Sequence, residues 1–492
     1  MNKNSLLLTS LVVLLSGCGL LGPSYEKPVV TAPTNWNNSS ATTKTESVNL
    51  AEQAWWRKFN DPVLNQLIES ALTNNNNLQI AMGNVLQAQA SLSKANMAWL
   101  PMVNIGGAGF TGQSFNPGFQ NLSANPQLSG MQTNNPQNFS GYGAGFMPTY
   151  TLNVFEEIKQ GQIAKANLAM QQQAKNAVRL GVISQVAGSY FYLLGLKQQL
   201  ILQQQLLSDA KEMRKYNLIQ YQNGSASEFN LTGIDQYIAG LQAKIPSIQD
   251  AITQTENALQ VLTNNNPGKI KTVRNFNEIS TKGIIPVNLP SDVLKTRPDV
   301  MAAEYQLQVA NANIGAVTAM FFPTINLTGM LGQGSVQLSN LFNAGGDFWM
   351  GQLAAGMPLF NMGLYAEEDK AKAGYYSTYY NYVQTVRSAF SQVDNGLSNN
   401  DSLNKIESQQ QVAMSKAQDL YRLAMIQYQQ GSAAYSDTVG MKLNIDYAAA
   451  NLNQVKMQQM NSIVNLYQVL GGGYLAESSL TQVKKFNDSH DI

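Results

Sequence analysis

The octapeptide IQYQNGSA that begins at Ile219 returns as IQYQQGSA at Ile426, with seven of eight residues unchanged. The copies lie 207 residues apart (426 − 219). That period is too long for a solenoid, whose repeats run to about 20–50 residues. It requires one large unit copied in tandem. Other segments repeat in the same order: LPMVNIGG at Leu100 with FPTINLTG at Phe322, and ALQVL at Ala258 with LYQVL at Leu466. Each half therefore reads as helix, Pro-initiated strand, polar loop, second strand, very long helix, Gly-Ser turn and return helix. The first copy is expected over residues 61–262 and the second over 290–472, with a connector at 263–289 and a polar tail at 473–492.

The N-terminus carries a processing signal. Lys3 gives a basic start, and Leu6 to Leu15 is apolar but too short to span a bilayer, which takes about 20 residues. Leu15-Ser16-Gly17-Cys18 resembles a bacterial lipobox. Residues 1–17 then form a signal peptide, and Cys18 becomes a lipid-bearing mature N-terminus. Gly19 at the next position is compatible with export to the outer membrane. Residues 18–60, rich in Pro, Ser, Thr and Asn, read as an extended tether. Cys18 is the only cysteine, so no disulfide contributes to stability.

Charged residues make up 12% of the chain, against roughly 25% in ordinary soluble domains, and the net charge is +1. Gln, Asn, Ser and Thr supply the polarity instead. A neutral balance gives no case for nucleic-acid binding. Nothing reads as an enzyme site. His490 is the only histidine, no Cys/His cluster could hold a transition metal, and no phosphate-binding Gly loop occurs. No cofactor is expected beyond the lipid on Cys18. Nineteen methionines raise the idea of Cu(I) export, but they are scattered.

No proline interrupts Phe155 to Gln222. Ile183, Val186, Tyr190, Leu193, Lys197, Leu200, Gln204 and Leu207 step by three and four, as in a coiled coil. A helix of that length spans about 100 Å at 1.5 Å per residue. The return limb of the second half carries the same lattice at Ile445, Ala448, Leu452, Val455, Leu466 and Val469. The flanking faces are rich in Gln, Ala and Asn, which can line a wet interior or form a solvated surface.

Pro101 and Pro323 stop the helices before the first strand of each half. The second strands alternate: Tyr142, Ala144, Phe146, Tyr150, Leu152 and Val154 in one half, and Trp349, Leu353, Ala355, Met357 and Leu359 in the other. This resembles membrane β-barrel strands of about 9–11 residues. Long polar loops, at residues 111–140 and 332–348, are expected outside the cell. Four strands cannot close a barrel, and an open edge in hydrocarbon is prohibitive. Small membrane barrels start at about eight strands, so the barrel must be shared between chains.

WWRKFNDPVLNQLIESAL at Trp55, LPSDVLKTRPDVMAAE at Leu289 and CGLLGPSYEKP at Cys18 resemble hallmark segments of TolC-like outer-membrane efflux lipoproteins. The resemblance covers essentially the whole mature chain. It implies an α+β membrane protein, a homotrimer whose 12-stranded transmembrane β-barrel takes four strands from each chain and continues into a long α-helical periplasmic barrel. It implies an exit duct for drugs or other small toxic compounds, joined to a periplasmic adaptor and an inner-membrane transporter. Metal-cation efflux and type I secretion are the alternatives within that reading; a non-conducting lipoprotein spacer and a cell-wall enzyme lie outside it.

On this resemblance the Gly-Ser turns are the periplasmic tips. Gly224, Ser225, Gly431 and Ser432 would be helix ends and adaptor contacts together. The family closes its tunnel near the second tip with a Tyr three residues before the glycine and acids six and nine after it. Tyr428 and Asp437 match, but Gly440 replaces the second acid and Ala433 an arginine found in some members. Asn230 stands where the first tip has an Asp. The expected gate is therefore Tyr428, Ser436, Asp437 and Asn230, relying more on hydrogen bonds than on ion pairs. Asp437 could equally be a cap of the return helix.

Overall fold

The computed structural model describes residues 22–31, 50–114, 137–281, 284, 296–342 and 346–476. Cys18, the signal segment and most of the tail, with His490, lie outside the described residues. The helices are α1 (Pro62–Asn74), α2 (Asn76–Met97), α3 (Val154–Gln222), α4 (Glu228–Leu262), α5 (Pro298–Ala319), α6 (Met362–Gln429) and α7 (Tyr435–Val469). The strands are β1 (Met102–Ser114), β2 (Gln137–Leu152), β3 (Thr324–Ser335) and β4 (Asp347–Gly356).

The tandem copy is visible in the element boundaries. α3 and α6 have 69 and 68 residues, and α4 and α7 have 35 each. Ends of the long hairpins are offset by 207 residues (429 − 222, 469 − 262), whereas the first strands are offset by 222 (324 − 102). The offset falls to 210 at the start of the second strands (347 − 137), so most of the difference lies in the first strand and the loop that follows it.

The chain forms two compact units, one of residues 1–26, 89–167 and 307–377, the other of 27–88, 168–306 and 378–492. The first holds a single antiparallel sheet in the order β1-β2-β3-β4. Pairing aligns Ile105, Phe146, Leu331 and Trp349 in one row, an apolar residue from every strand. Directly opposed residues share a face, so this face is apolar; all four are more than half exposed. The opposite face is mixed: it carries Met147, Met330, Met350 and Phe348 beside Thr149 opposite Thr328 and Thr151, whose Oγ1 donates to Asn326 Oδ1 at 2.9 Å. Gly145 and Gly332 oppose each other there, and a Cβ on either would collide with the other strand's backbone.

Three strands are longer than the expected 9–11 residues, at 13, 16 and 12. The second loop is correspondingly shorter than expected, since β3 runs to Ser335 and β4 starts at Asp347. Val154, Met357 and Leu359 fall outside the strands. Asn153 Oδ1 accepts from the Glu156 N–H at 3.2 Å, which starts α3 and makes Val154 helical. Pro358 has no N–H to continue β4.

The second unit is built on aromatic residues of the Trp55 segment. Trp55 stacks on Tyr467 at 4.7 Å and Phe59 meets Phe191 at 4.6 Å. Asp61 caps α1 by accepting from the Val63 and Leu64 N–H groups, with Pro62 opening the helix. Buried Arg297 donates to Val469 O at 2.7 Å, to Gln392 Oε1 at 2.9 Å and to both Asp299 oxygens, fastening the start of α5 to α6 and α7. The connector is not peripheral: Ile270, Phe276, Ile279 and Ile284 are buried, and Lys197 donates to Ile270 O at 2.9 Å. α3 has a window apolar enough by composition to cross a membrane, yet 61% of it is buried inside the protein. Ile183, Val186, Tyr190 and Leu193 are core.

Residues 50–59, expected in the tether, instead form two short 3-10 helices with Leu50, Ala51, Trp55, Trp56 and Phe59 buried. Residues 22–31 carry no helix or strand but are not free. Within the first unit Asn311 Nδ2 donates to Pro23 O at 3.0 Å, and within the second Lys27 pairs with Glu304.

Candidate gate and tip turns

The two Gly-Ser turns are one structure made twice. Gly224 and Gly431 both have φ +73°. Ser225 N–H donates to Gln220 O at 2.8 Å, and Ser432 N–H to Gln427 O at 2.9 Å. The glycine N–H groups donate to Tyr221 O and Tyr428 O. A left-handed glycine inside such a six-to-one bond is a Schellman helix end, which satisfies carbonyls that the helix leaves open. No atom lies within 4 Å of a Cβ built at either glycine, so glycine is required by φ and not by space. All four tip residues are exposed.

The expected gate residues are not one cluster within a chain. Tyr428 packs edge-on against Tyr435 at 5.1 Å, and Tyr435 against Tyr216 at 4.4 Å. Tyr435 hydroxyl donates to Glu212 Oε1 at 2.9 Å; that bond, with burial, pushes its pKa up to about 12. Ser436 Oγ accepts from Gln220 Nε2 at 3.5 Å. Asp437 Oδ2 accepts from the Ala434 N–H at 3.2 Å. Alanine has no side chain to return a bond, so this is half a capping box. Asn230 is exposed in the first turn of α4 and, among the described residues, makes no side-chain hydrogen bond to Tyr428, Ser436 or Asp437.

What the geometry adds is a set of ties between α7 and α3. Lys442 Nζ donates to Asp209 Oδ1 at 2.7 Å, and Gln205 Nε2 donates to both Asp209 oxygens. Asp446 faces the same carboxylate. Nearer the middle of α7, Asn453 Nδ2 donates to Gly195 O at 3.2 Å and to Gln199 Oε1 at 3.1 Å. Sequence reasoning missed Asp209, Lys442 and Asp446 because their partners lie 233 residues apart. The available signal was Lys442 and Asp446 one helical turn apart in a chain with few charges.

Known proteins share this architecture. A "Probable efflux pump outer membrane protein TtgC" of Pseudomonas putida is 29% identical over 487 residues, 97% of each chain. A "Probable outer membrane lipoprotein SilC" of Salmonella typhimurium is 29% identical, over 96% of this chain and all of that one. The solved open state of the MtrE outer membrane channel of Neisseria gonorrhoeae superposes with a TM-score of 0.79 at 27% identity, covering 93% of this chain and 99% of that one. The family model described as "Outer membrane efflux protein" matches residues 67–265 and 289–472. That match takes in both halves with their tips, and the chain belongs to the outer membrane efflux protein family.

Proposed function

We propose that three copies of the chain form the outer-membrane exit duct of a tripartite efflux pump, a passive channel that receives small toxic compounds from a periplasmic adaptor and an inner-membrane transporter. The observation that carries this reading is the sheet. β1 and β4 each pair on one side only, and one face bears a continuous apolar row. In hydrocarbon each unpaired backbone group costs several kcal/mol, so such a sheet is stable only when copies close it. Three copies give 12 strands. The relatives named above, an efflux pump protein and a lipoprotein, support the same reading and a lipid on Cys18.

A single chain is incomplete elsewhere too. Arg179 is 7% exposed, and among the described residues its Nε and Nη2 have no hydrogen-bond partner. Burial lowers its pKa to about 10, and Lys175, one turn earlier, is lowered by burial and by Arg179. Two adjacent, partly desolvated cations favour an acidic group from a neighbouring copy.

Tyr428, Ser436, Asp437 and Asn230 are proposed as the inner gate, and Gly224, Ser225, Gly431 and Ser432 as adaptor contacts. Three copies would set three Asp437 carboxylates around one axis, where they favour cations. The test is single-channel recording of purified protein in planar bilayers at low salt, where screening is weak. The wild type is expected to conduct with a cation preference, and Asp437→Ala to conduct more with less preference. A protein that inserts and never conducts overturns the duct. Unchanged conductance and selectivity in Asp437→Ala leaves Asp437 as a helix cap only.

A further inference from the structure

We propose that Asp209, Lys442 and Asp446 form a proton-held latch between α3 and α7, so that loss of one proton loosens the return helix near the tips. Its consequence for opening rests on the duct reading; the latch itself does not.

Asp446 follows Lys442 by one turn of α7 and so lies on the same face. Its partner across the joint, Asp209 on α3, has a side chain only 2% exposed. Asp446 is itself 8% exposed, and among the described residues its Oδ2 receives no hydrogen bond. Two ionised carboxylates are both acceptors and cannot bond to each other. They join only when one of them carries a proton. Lys442 and Gln205 already donate to Asp209, which makes Asp209 the ionised member and Asp446 the protonated one. The same stretch packs on an apolar cluster of Leu206, Ala210, Ile238 and Leu241, with Leu443 against it. A second charge is poorly solvated there.

The electrostatics agree. Burial first, then the bond to Asp209 and its charge, push Asp446 up to about 7, against the pull of Lys442. Burial also acts upward on Asp209, but the bonds from Lys442 and Gln205 outweigh it and leave its pKa lowered. The other ionisable groups nearby are accounted for. On α3, Glu212 acts on Lys442 and is bonded by Tyr435. On α4, Tyr237 bonds the Tyr447 hydroxyl of α7, and burial raises its pKa further. Arg214 of α3 and Asp235 of α4 pair with each other.

The sign follows from linkage. Latched, Asp446 titrates near 7; released into water, it returns to the ordinary range of about 4. The latched state therefore binds the proton more tightly. Raising the pH from about 4 to about 7 weakens the latch by up to tenfold per pH unit, and above about 7 nothing further is lost.

Spin labels at Lys211→Cys on α3 and Asn444→Cys on α7, both exposed positions, test this in a Cys18→Ser background. Distances are read by pulsed electron paramagnetic resonance from pH 5 to 8 on detergent-solubilised protein. The expected result is a longer-distance population that grows up to about pH 7 and then levels. Asp446→Asn, whose amide can still donate to Asp209, is expected to keep the short distance at every pH. Should that variant not fold, Lys442→Met serves: without the cation the pair holds its proton more tightly, and the transition moves to higher pH. A pH-independent wild type, or a variant that follows the wild-type curve, overturns the latch. Conductance recorded on the same samples separates the two claims. A pH-dependent distance without conduction defeats the duct alone, and normal conduction with a fixed distance defeats the latch alone.

Discussion

Asp61 ends one helix problem and solves a burial problem at the same time. Its Oδ1 accepts from two N–H groups at the start of α1, while its Oδ2 accepts the Tyr190 hydroxyl at 2.7 Å. Both residues are fully buried. Burial, then the carboxylate, hold the Tyr190 hydroxyl far above its ordinary pKa, so it stays a donor. Asp61→Ala removes a cap, about 1 kcal/mol, and strands the hydroxyl, about 1–3 kcal/mol more. Asp61→Asn keeps the capping acceptor and turns the other oxygen into an NH2 that can donate to the Tyr190 hydroxyl oxygen, and is expected to recover most of the loss. Thermal denaturation of the detergent-solubilised protein checks the order wild type, Asn, Ala. The cap was legible, because Asp-Pro before an apolar lattice is a local signal. Tyr190 was legible only as a core position. Its hydrogen bond joins residues 129 apart, and no local pattern encodes it.

At the scale of elements, the repeated octapeptide foretold two identical helix ends, and both glycines have the same φ and the same bond pattern. α3 was legible to within a residue, because no proline falls between Phe155 and Gln222 and the apolar lattice is unbroken. Strand ends were less so. Apolar alternation continues past β2 and β4, and the capping of Asn153 and the missing N–H of Pro358 decide where pairing stops. The facing glycines at 145 and 332 were not legible at all, since their requirement is close backbone approach across strands from different halves. Gly332→Val is expected to weaken the sheet, read as a lower temperature at which assembled protein dissociates in mild SDS. Gly351→Val is the control. It lies in β4 with open space around its Cβ position, and the account expects little change. Equal losses for both would show that glycine content, and not the 145–332 contact, matters.

At the scale of the whole molecule, the chain is half of several arguments. Among the described residues its sheet has two unpaired edges, its apolar row is exposed, and Arg179 Nε and Nη2 are buried without an acceptor. On the proposed reading, neighbouring copies would pair the edges and supply an acceptor for Arg179, and membrane hydrocarbon would cover the apolar row. The most direct test joins the edges covalently. With Cys18→Ser the protein has no other cysteine, so Ile105→Cys on β1 and Leu353→Cys on β4, both exposed, react only where one chain's β1 meets another's β4. A small series of neighbouring positions covers the unknown register. In outer membranes under mild oxidation, the account predicts linked dimers and linked trimers on denaturing gels and nothing larger, because a ring of three leaves no free edge. Ladders that extend beyond three chains, or chains that never link at any position in the series, would contradict the shared barrel.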